Sequence, residues 1–462
     1  MSAIALNLSD DSHIIPPVRS RRTRVLIVSD HPIKSRDVAK SLRALELDVQ
    51  LCLFDGNTLT SIPKRAPDAV LCHLVDYAEH GPKLAKVIRT HFRSSQVPII
   101  GAMSRPSPDA SLGFDSTLFA PVHPSQIANR VNAMIRLGVM DGEITRRLET
   151  LKADFDQAPQ IGDLSPDRKF RVLFIGKASP SFMVIINALQ DKGVEVTAAF
   201  TSFSAFDYLH GDPFDAVVMN ALDQTEPAFS ISETMRRNSK LFHTPTLFLV
   251  KGHSFKDYDG AYKRGARDII DCDADSEEIR GRILELANYH RIHEQMKSDF
   301  LSLAVNSAVD KTGTAYSQAF LRHHFPRISR DATKANLPVT CIGLKLTSQS
   351  VDEVTSQAIE LAYAKTAELI SNLVRMQDVV CRWDKDTFVL VFYDTNKVEA
   401  QIILSRIQAL LDCTVYKSGG PDGGALSIAA QSIIMEAKTS ANSGQNQLDV
   451  LIANLVNDPD EN

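Results

Sequence analysis

Arg375 and Asp378 stand three positions apart in the stretch LVRMQDVVCRWDKDTFVLVFY, Leu373 to Tyr393. A guanidinium fork can donate twice to guanine O6 and N7, and a carboxylate can accept from the guanine N1 and N2 donors. The two residue types therefore complement one purine edge. The pattern is short: an R-x-x-D arises by chance about once in a chain of this length, and most such pairs are surface ion pairs worth little. A second one, Arg65 to Asp68, precedes a strand and has no reason to bind a nucleotide. His290 and His293 are spaced i, i+3 with no third ligand nearby, so they read as a solvated helix face rather than a metal site. RHHF, Arg322 to Phe325, reads no more like a metal site. Cys52, Cys72, Cys272, Cys341, Cys381 and Cys413 show no C-x-x-C spacing, so neither a zinc site nor a disulfide framework is indicated.

The elements that must position these residues follow from periodicity. Two apolar runs around a polar tip give a β-hairpin after Asp378, although its tip holds Asp384 and Lys385 where tight hairpins prefer Gly or Asn. Further upstream the chain repeats itself. RVLIV at Arg24 and RVLFI at Arg171, DAVLCH at Asp68 and DAVVMN at Asp215, and the prolines Pro98 and Pro245 all share one separation of 147 residues. Three β-like runs at one offset indicate a tandem duplication of a domain of about 120 residues. Within each copy, short apolar strands alternate with helical patterns such as DVAKSLRALEL (Asp37 to Leu47) and SPSFMVIINALQDKG (Ser179 to Gly193). That alternation predicts β-α-β units on a parallel sheet, doubly wound in the flavodoxin manner. The polar stretch Asp154 to Lys169 reads as a linker, and Ser276 to Val305 as one long helix running on into a third domain.

Composition narrows the classes. The chain has 462 residues, 44% hydrophobic and 23% charged, which fits roughly three soluble globular domains. A net charge of -5 gives no bulk case for nucleic acid or an anionic membrane. The first residues lack an apolar h-region, and no window approaches the roughly 20 apolar residues of a spanning helix. The expectation is a cytoplasmic protein with no membrane insertion.

The two repeats resemble response-regulator receiver domains, and the whole order resembles response regulators of the PleD and especially the PopA type: receiver, receiver, GGDEF. The resemblance implies carboxylates after the first strand to hold Mg2+, an Asp nucleophile ending the third, and Thr/Ser and Lys ending the fourth and fifth. The first copy offers Ser29 and Asp30, then His73, Met103 or Ser104, and Ala120; the second offers Gly176 and Lys177, then Asn220, Val250 and Cys272. Neither imidazole nor amide can form the acyl phosphate, so both copies are read as degenerate. Asp76, the nearest carboxylate to His73, lies three residues beyond it.

The third domain resembles the GGDEF family, an α+β, nucleotidyl-cyclase-like fold. VDKTGTAYSQAFL (Val309 to Leu321) keeps Asp310, Thr312, Gly313 and Phe320 of the family's opening motif, and CRWDKDTF stands for R-[YW]-G-G-[DE]-E-F. The resemblance puts Lys345 and Thr347 at metal-ligand positions of the first strand, Asp384 and Lys385 at the phosphate glycines, and Thr387 at the glutamate, with Asp386 retained. SQSVDEVTSQ replaces the guanine-binding Asn-Asp, and the acidic end LIANLVNDPDEN replaces phosphate-binding cations. Condensing two GTP molecules needs metal held by carboxylates, so no catalytic residue and no metal are expected. The family's product-inhibition site is R-x-x-D with five residues before the glycines, and five residues separate Asp378 from Asp384. The resemblance thus implies cyclic di-GMP as ligand at Arg375 and Asp378, with a further arginine at Arg406. It also implies a homodimer and protein partners of a cell-cycle or proteolysis pathway, with recruitment to a cell pole. The competing expectations are a residual diguanylate cyclase and a ligand-independent scaffold. The expected organisation is a tail (1–22), a receiver (23–140), a linker (141–169), a second receiver (170–288), a helical linker (289–309) and the GGDEF domain (310–456).

Overall fold

The computed structural model describes residues 21–457 except 56–61, 77, 93–96, 105–112, 163–167, 190–192, 223, 239, 351–353, 419–423 and 438–443. Most of the expected tail and parts of SQSVDEVTSQ, of the linker and of the acidic end lie outside the described residues. The chain divides into two units. One holds both repeats, and the other gathers 136–163 with 295–462.

In the first unit, β1 (Arg24–Ser29), β2 (Asp48–Leu53), β3 (Ala69–Leu74), β4 (Ile99–Met103) and β5 (Ser116–Phe119) form a parallel sheet in the order β2-β1-β3-β4-β5. The second repeat builds the same sheet from β6 (Phe170–Ile175), β7 (Val194–Ala199), β8 (Ala216–Asn220), β9 (Thr246–Val250) and β10 (Asp268–Asp271), ordered β10-β9-β8-β6-β7. Read from the other edge, this is the same flavodoxin-like order. Even the register repeats at the offset of 147: Val25 pairs with Ala69, and Val172 with Ala216. The central strands are apolar on both sides because helices cover both faces. The Arg65 to Asp68 pattern is structural: the Asp68 carboxylate accepts from the Arg24 amide at 2.9 Å and pairs with its guanidinium at 3.0 Å. At the matching place in the second repeat, Asp215 accepts from the Arg171 amide.

The helices that close the repeats are α3 (Pro124–Asp154) and α8 (Ser276–Ser302). They join the two sheets: Gln126 donates to Asp268, Arg130 and the Thr117 amide donate to Glu285, and Arg282 donates to the Phe119 carbonyl. Equivalent faces of the two repeats are therefore used against each other. α3 stays helical through Asp154, so the first part of the expected linker 141–169 is helix and the polar stretch from Asp154 begins where that helix ends. His290 and His293 correct another expectation. They are 8% and 4% exposed, and His293 stacks on His243 with ring centres 4.2 Å apart, because this part of α8 packs against the second repeat instead of facing water.

The second unit is an α+β sandwich. Its sheet runs β11 (Tyr316–Ser317), β13 (Val379–Arg382), β14 (Thr387–Tyr393), β12 (Val339–Ser350), β16 (Ala425–Glu436), β15 (Val415–Lys417), with every pair antiparallel except the first. α10 (Ser356–Leu373) and α11 (Lys397–Asp412) cover one face over Ile342, Leu344, Phe388 and Leu390. Thr355 caps α10, and a reciprocal Asn396 and Glu399 box caps α11. The other face packs α9 (Gln318–Ala335), α12 (Gly444–Asn457) and the ends of α3 and α8, through Ile144, Leu151, Phe300, Phe320 and Phe325.

Candidate functional site

The hairpin edge comes first. Antiparallel pairing places Lys345 of β12 directly opposite Thr387 of β14, so a cation and a hydroxyl face one another where the family motif has carboxylates. Asp386 is the retained acid, and its Oδ1 accepts from the Thr387 hydroxyl at 3.0 Å. The loop Trp383 to Asp386 is closed by the Trp383 and Asp384 amides donating to the Thr387 carbonyl. Positive φ is confined to other positions, so Asp384 and Lys385 need no glycine. A hairpin loop of four residues, commonly built on a type I turn, suits ordinary residues as a two-residue turn does not. Both side chains are exposed.

Arg382 organises this edge. Its two Nη atoms reach the Glu360 carboxylate at 2.7 and 3.0 Å, Nη2 also donates to the Lys385 carbonyl at 2.6 Å, and Nη1 stands 3.4 Å from Asp310. Burial would raise the Asp310 carboxyl, but the Thr312 hydroxyl and the amides of Ala315 and Thr314 outweigh it and hold it below its ordinary value. Asp310 and Glu360 are thus engaged with Arg382. Lys345 of β12 stands across β14 from this network. Among the described residues, the one place where three side chains able to ligate a metal come together is Asp271, Cys272 and Asp273 of the second repeat.

The R-x-x-D turn lies between α10 and β13. It is closed at both ends: the Asp378 amide donates to the Arg375 carbonyl at 2.9 Å, and the Arg375 amide donates to Asp378 Oδ2 at 2.9 Å. The Arg375 side chain is exposed, and among the described residues its guanidinium makes no hydrogen bond or ion pair, acting on Asp378 only at a distance. Asp378 differs from the expectation of two groups facing one ligand. Its carboxylate turns inward, the residue is 7% exposed, and Oδ1 is buried with no hydrogen-bond partner. Burial pushes its pKa up to about 6 against the pull of the Arg375 guanidinium. Arg406 is exposed on α11, which packs beside α10, and its guanidinium is also unpartnered among the described residues.

Beneath the turn lies a charged cluster that sequence reasoning missed. Glu143, Arg146, Arg147 and His324 are all buried. Arg147 Nε and Arg146 Nε donate to the two Glu143 oxygens at 2.8 and 3.0 Å, while His324 joins Glu143 at 3.0 Å and Thr150 at 2.9 Å. Burial alone would raise Glu143, yet His324 and the two arginines hold it well below the usual range. The signal was present as E-x-x-R-R, which puts Glu143 on one helix face with Arg146 and Arg147. It was missed because these residues fall inside the stretch 141–169 expected to be a linker. The other members of RHHF have structural partners too: Arg322 lies 4.5 Å over the Trp383 ring and pairs with Asp449, and His323 meets Asp154.

In the repeats, the positions that correspond to phosphorylation chemistry are occupied otherwise. Asp30 accepts from the Val75 and Asp76 amides, and His73 Nδ1 lies 3.3 Å from the Ser29 hydroxyl, its imidazole pKa lowered by burial. Asn220 lies over Gly176, where a Cβ would come 2.4 Å from the Asn220 Cβ. Lys177 is exposed.

Comparison with known proteins agrees with this layout. The family model described as diguanylate cyclase, GGDEF domain, matches residues 352–438. The response regulator PleD of Caulobacter vibrioides is 22% identical over 420 residues, spanning 86% of this chain and 87% of PleD. Among solved structures, a response regulator from Chloroflexus aurantiacus is similar at 16% identity, covering 26% of this chain and 98% of its own, with a TM-score of 0.24. The GGDEF domain of DgcB from Caulobacter crescentus, solved with c-di-GMP, is similar at 12% identity, covering 33% of this chain and 88% of its own, with a TM-score of 0.26. The described residues contain no helix long and apolar enough to cross a membrane. Residues 352–438 thus match the GGDEF family model, they follow two domains of flavodoxin-like sheet order, and over most of its length the chain is similar to the response regulator PleD.

Proposed function

We propose that this protein is a non-catalytic cyclic di-GMP receptor of the PopA type, which binds its ligand at the R-x-x-D turn through Arg375, with Arg406 as a second cationic contact and Asp378 as the acceptor. The observation that carries the reading is the exposed, unpartnered Arg375 guanidinium on a turn whose backbone is closed at both ends. A preorganised fork loses little freedom when it meets the O6 and N7 pair of a guanine. Asp378 joins by turning outward. Since Oδ1 has no partner, that rotation breaks one hydrogen bond and relieves a buried unsatisfied oxygen.

The ligand would act by favouring one conformational or assembly state over another. In this reading the protein works as a homodimer in the cytoplasm, recruited to a cell pole, and cyclic di-GMP controls its docking to partners in regulated proteolysis during the cell cycle. The hairpin edge, with Lys345 opposite Thr387, supports the absence of cyclase activity.

Incubation of purified protein with GTP and Mg2+, alongside equilibrium dialysis with labelled cyclic di-GMP, tests the proposal. Binding without product formation is expected. Product formation would establish a cyclase instead, and absence of both would favour a ligand-independent scaffold.

A further inference from the structure

Arg147 reaches the R-x-x-D turn from α3, a helix distant from it in sequence. Its Nη2 donates to the Met376 carbonyl at 3.2 Å and to the Asp378 carbonyl at 3.0 Å. Its Nη1 donates to the Tyr316 hydroxyl at 3.2 Å, and Nε is held by Glu143. The guanidinium lies 4.7 Å over the Phe300 ring and 5.0 Å over the Tyr316 ring, with its side chain 4% exposed. One planar group therefore fixes two carbonyls of the turn from below while its other nitrogens are anchored elsewhere. Lysine cannot reproduce this, because a single ammonium lacks the rigid fork.

We propose that Arg147 is the positioning residue of the R-x-x-D turn, holding the Met376 and Asp378 carbonyls so that Arg375 projects in its ligand-receiving direction. This rests on the receptor reading for its ligand, but not for the anchoring itself. Without Arg147 the two carbonyls would lose a buried charged donor, and the turn would rotate to recover hydrogen bonds from water. Because α3 begins at Pro124, at the end of the first repeat, the residue that sets the turn belongs to a helix continuous with that repeat. The same cluster bears on Asp378, whose carboxylate senses both Glu143 and Arg147.

The test combines amide hydrogen exchange with calorimetric titration of cyclic di-GMP, on the full chain, for wild type, Arg147→Lys and Arg282→Lys. Arg282 is the control: it is a buried arginine that likewise donates to carbonyls, those of Ile269 and Phe119. Arg147→Lys is expected to speed exchange of the Arg375 and Asp378 amides about tenfold and to weaken binding about tenfold, while Arg282→Lys changes neither. A lowered melting midpoint for Arg147→Lys with wild-type exchange at the turn would overturn the proposal, leaving a merely structural arginine. If wild type binds no cyclic di-GMP, the receptor reading fails, yet the exchange measurement still decides whether Arg147 anchors the turn. Should Arg147→Lys not fold, Tyr316→Phe removes one partner of the guanidinium without altering charge. It is read in the same way, with an expected change of about threefold in exchange at the turn and unchanged exchange as the overturning result.

Discussion

At the hairpin edge, Arg382 is bonded to Glu360 and Lys385 and stands beside Asp310. At the turn four residues before the hairpin strand ends, Arg375 is exposed without a partner, and Asp378 keeps a buried oxygen unmatched. Both places carry an arginine near an acid, but only one has satisfied its charges within the chain. A network closed on itself serves stability and leaves nothing for a ligand. An open guanidinium above an unsatisfied carboxylate leaves hydrogen-bonding capacity for a partner to fill.

The largest effect that would sharpen this contrast is on the edge. Arg382→Met strips Glu360 and Asp310 of their cation and is expected to destabilise the domain by about 3 kcal/mol in urea unfolding, with cyclic di-GMP affinity unchanged. A large loss of affinity in the folded variant would erase the distinction between edge and turn. Next comes the pH dependence of the turn. The folded pKa of Asp378, about 6, lies above the usual aspartate value, so between the two the folded state keeps a proton that the unfolded chain has released. Stability falls as pH rises through that window, on the order of 2 kcal/mol for this group, and Asp378→Asn abolishes that part of the fall. Urea midpoints at pH 4.5 and 7.5 check this; an equal difference between variant and wild type at both pH values would contradict it. The smallest expected effect is that of Lys345→Ala, within about 0.5 kcal/mol of wild type in thermal or urea unfolding, because its ammonium is a partly exposed surface group on β12.

The doubly wound repeats were legible because strand spacing is a local signal. Arg24 with Asp68 and Arg171 with Asp215 recur at one offset, and the sheets reproduce it to the register of single pairs. The hairpin was legible in its two apolar runs, while its tip misled because glycine is needed only where φ is positive, and the four-residue loop avoids that. The burial of the α3 charges was not legible: Arg147 is covered by the rings of Tyr316 and Phe300 and Arg146 by that of Tyr393, all far away in sequence. The inward turn of Asp378 was also out of reach. R-x-x-D fixes the spacing of two groups along the chain, but the direction of each depends on the turn's backbone and on Arg147 beneath it.

The most direct test of the contrast is calorimetric titration of cyclic di-GMP into wild type, Arg375→Ala and Lys345→Ala at pH 7.5. The account predicts saturable binding by wild type and Lys345→Ala, with a loss of roughly a hundredfold or more for Arg375→Ala, as expected when a charged fork at the centre of a small contact is removed. Unchanged affinity in Arg375→Ala, or loss of binding in Lys345→Ala alone, would contradict it.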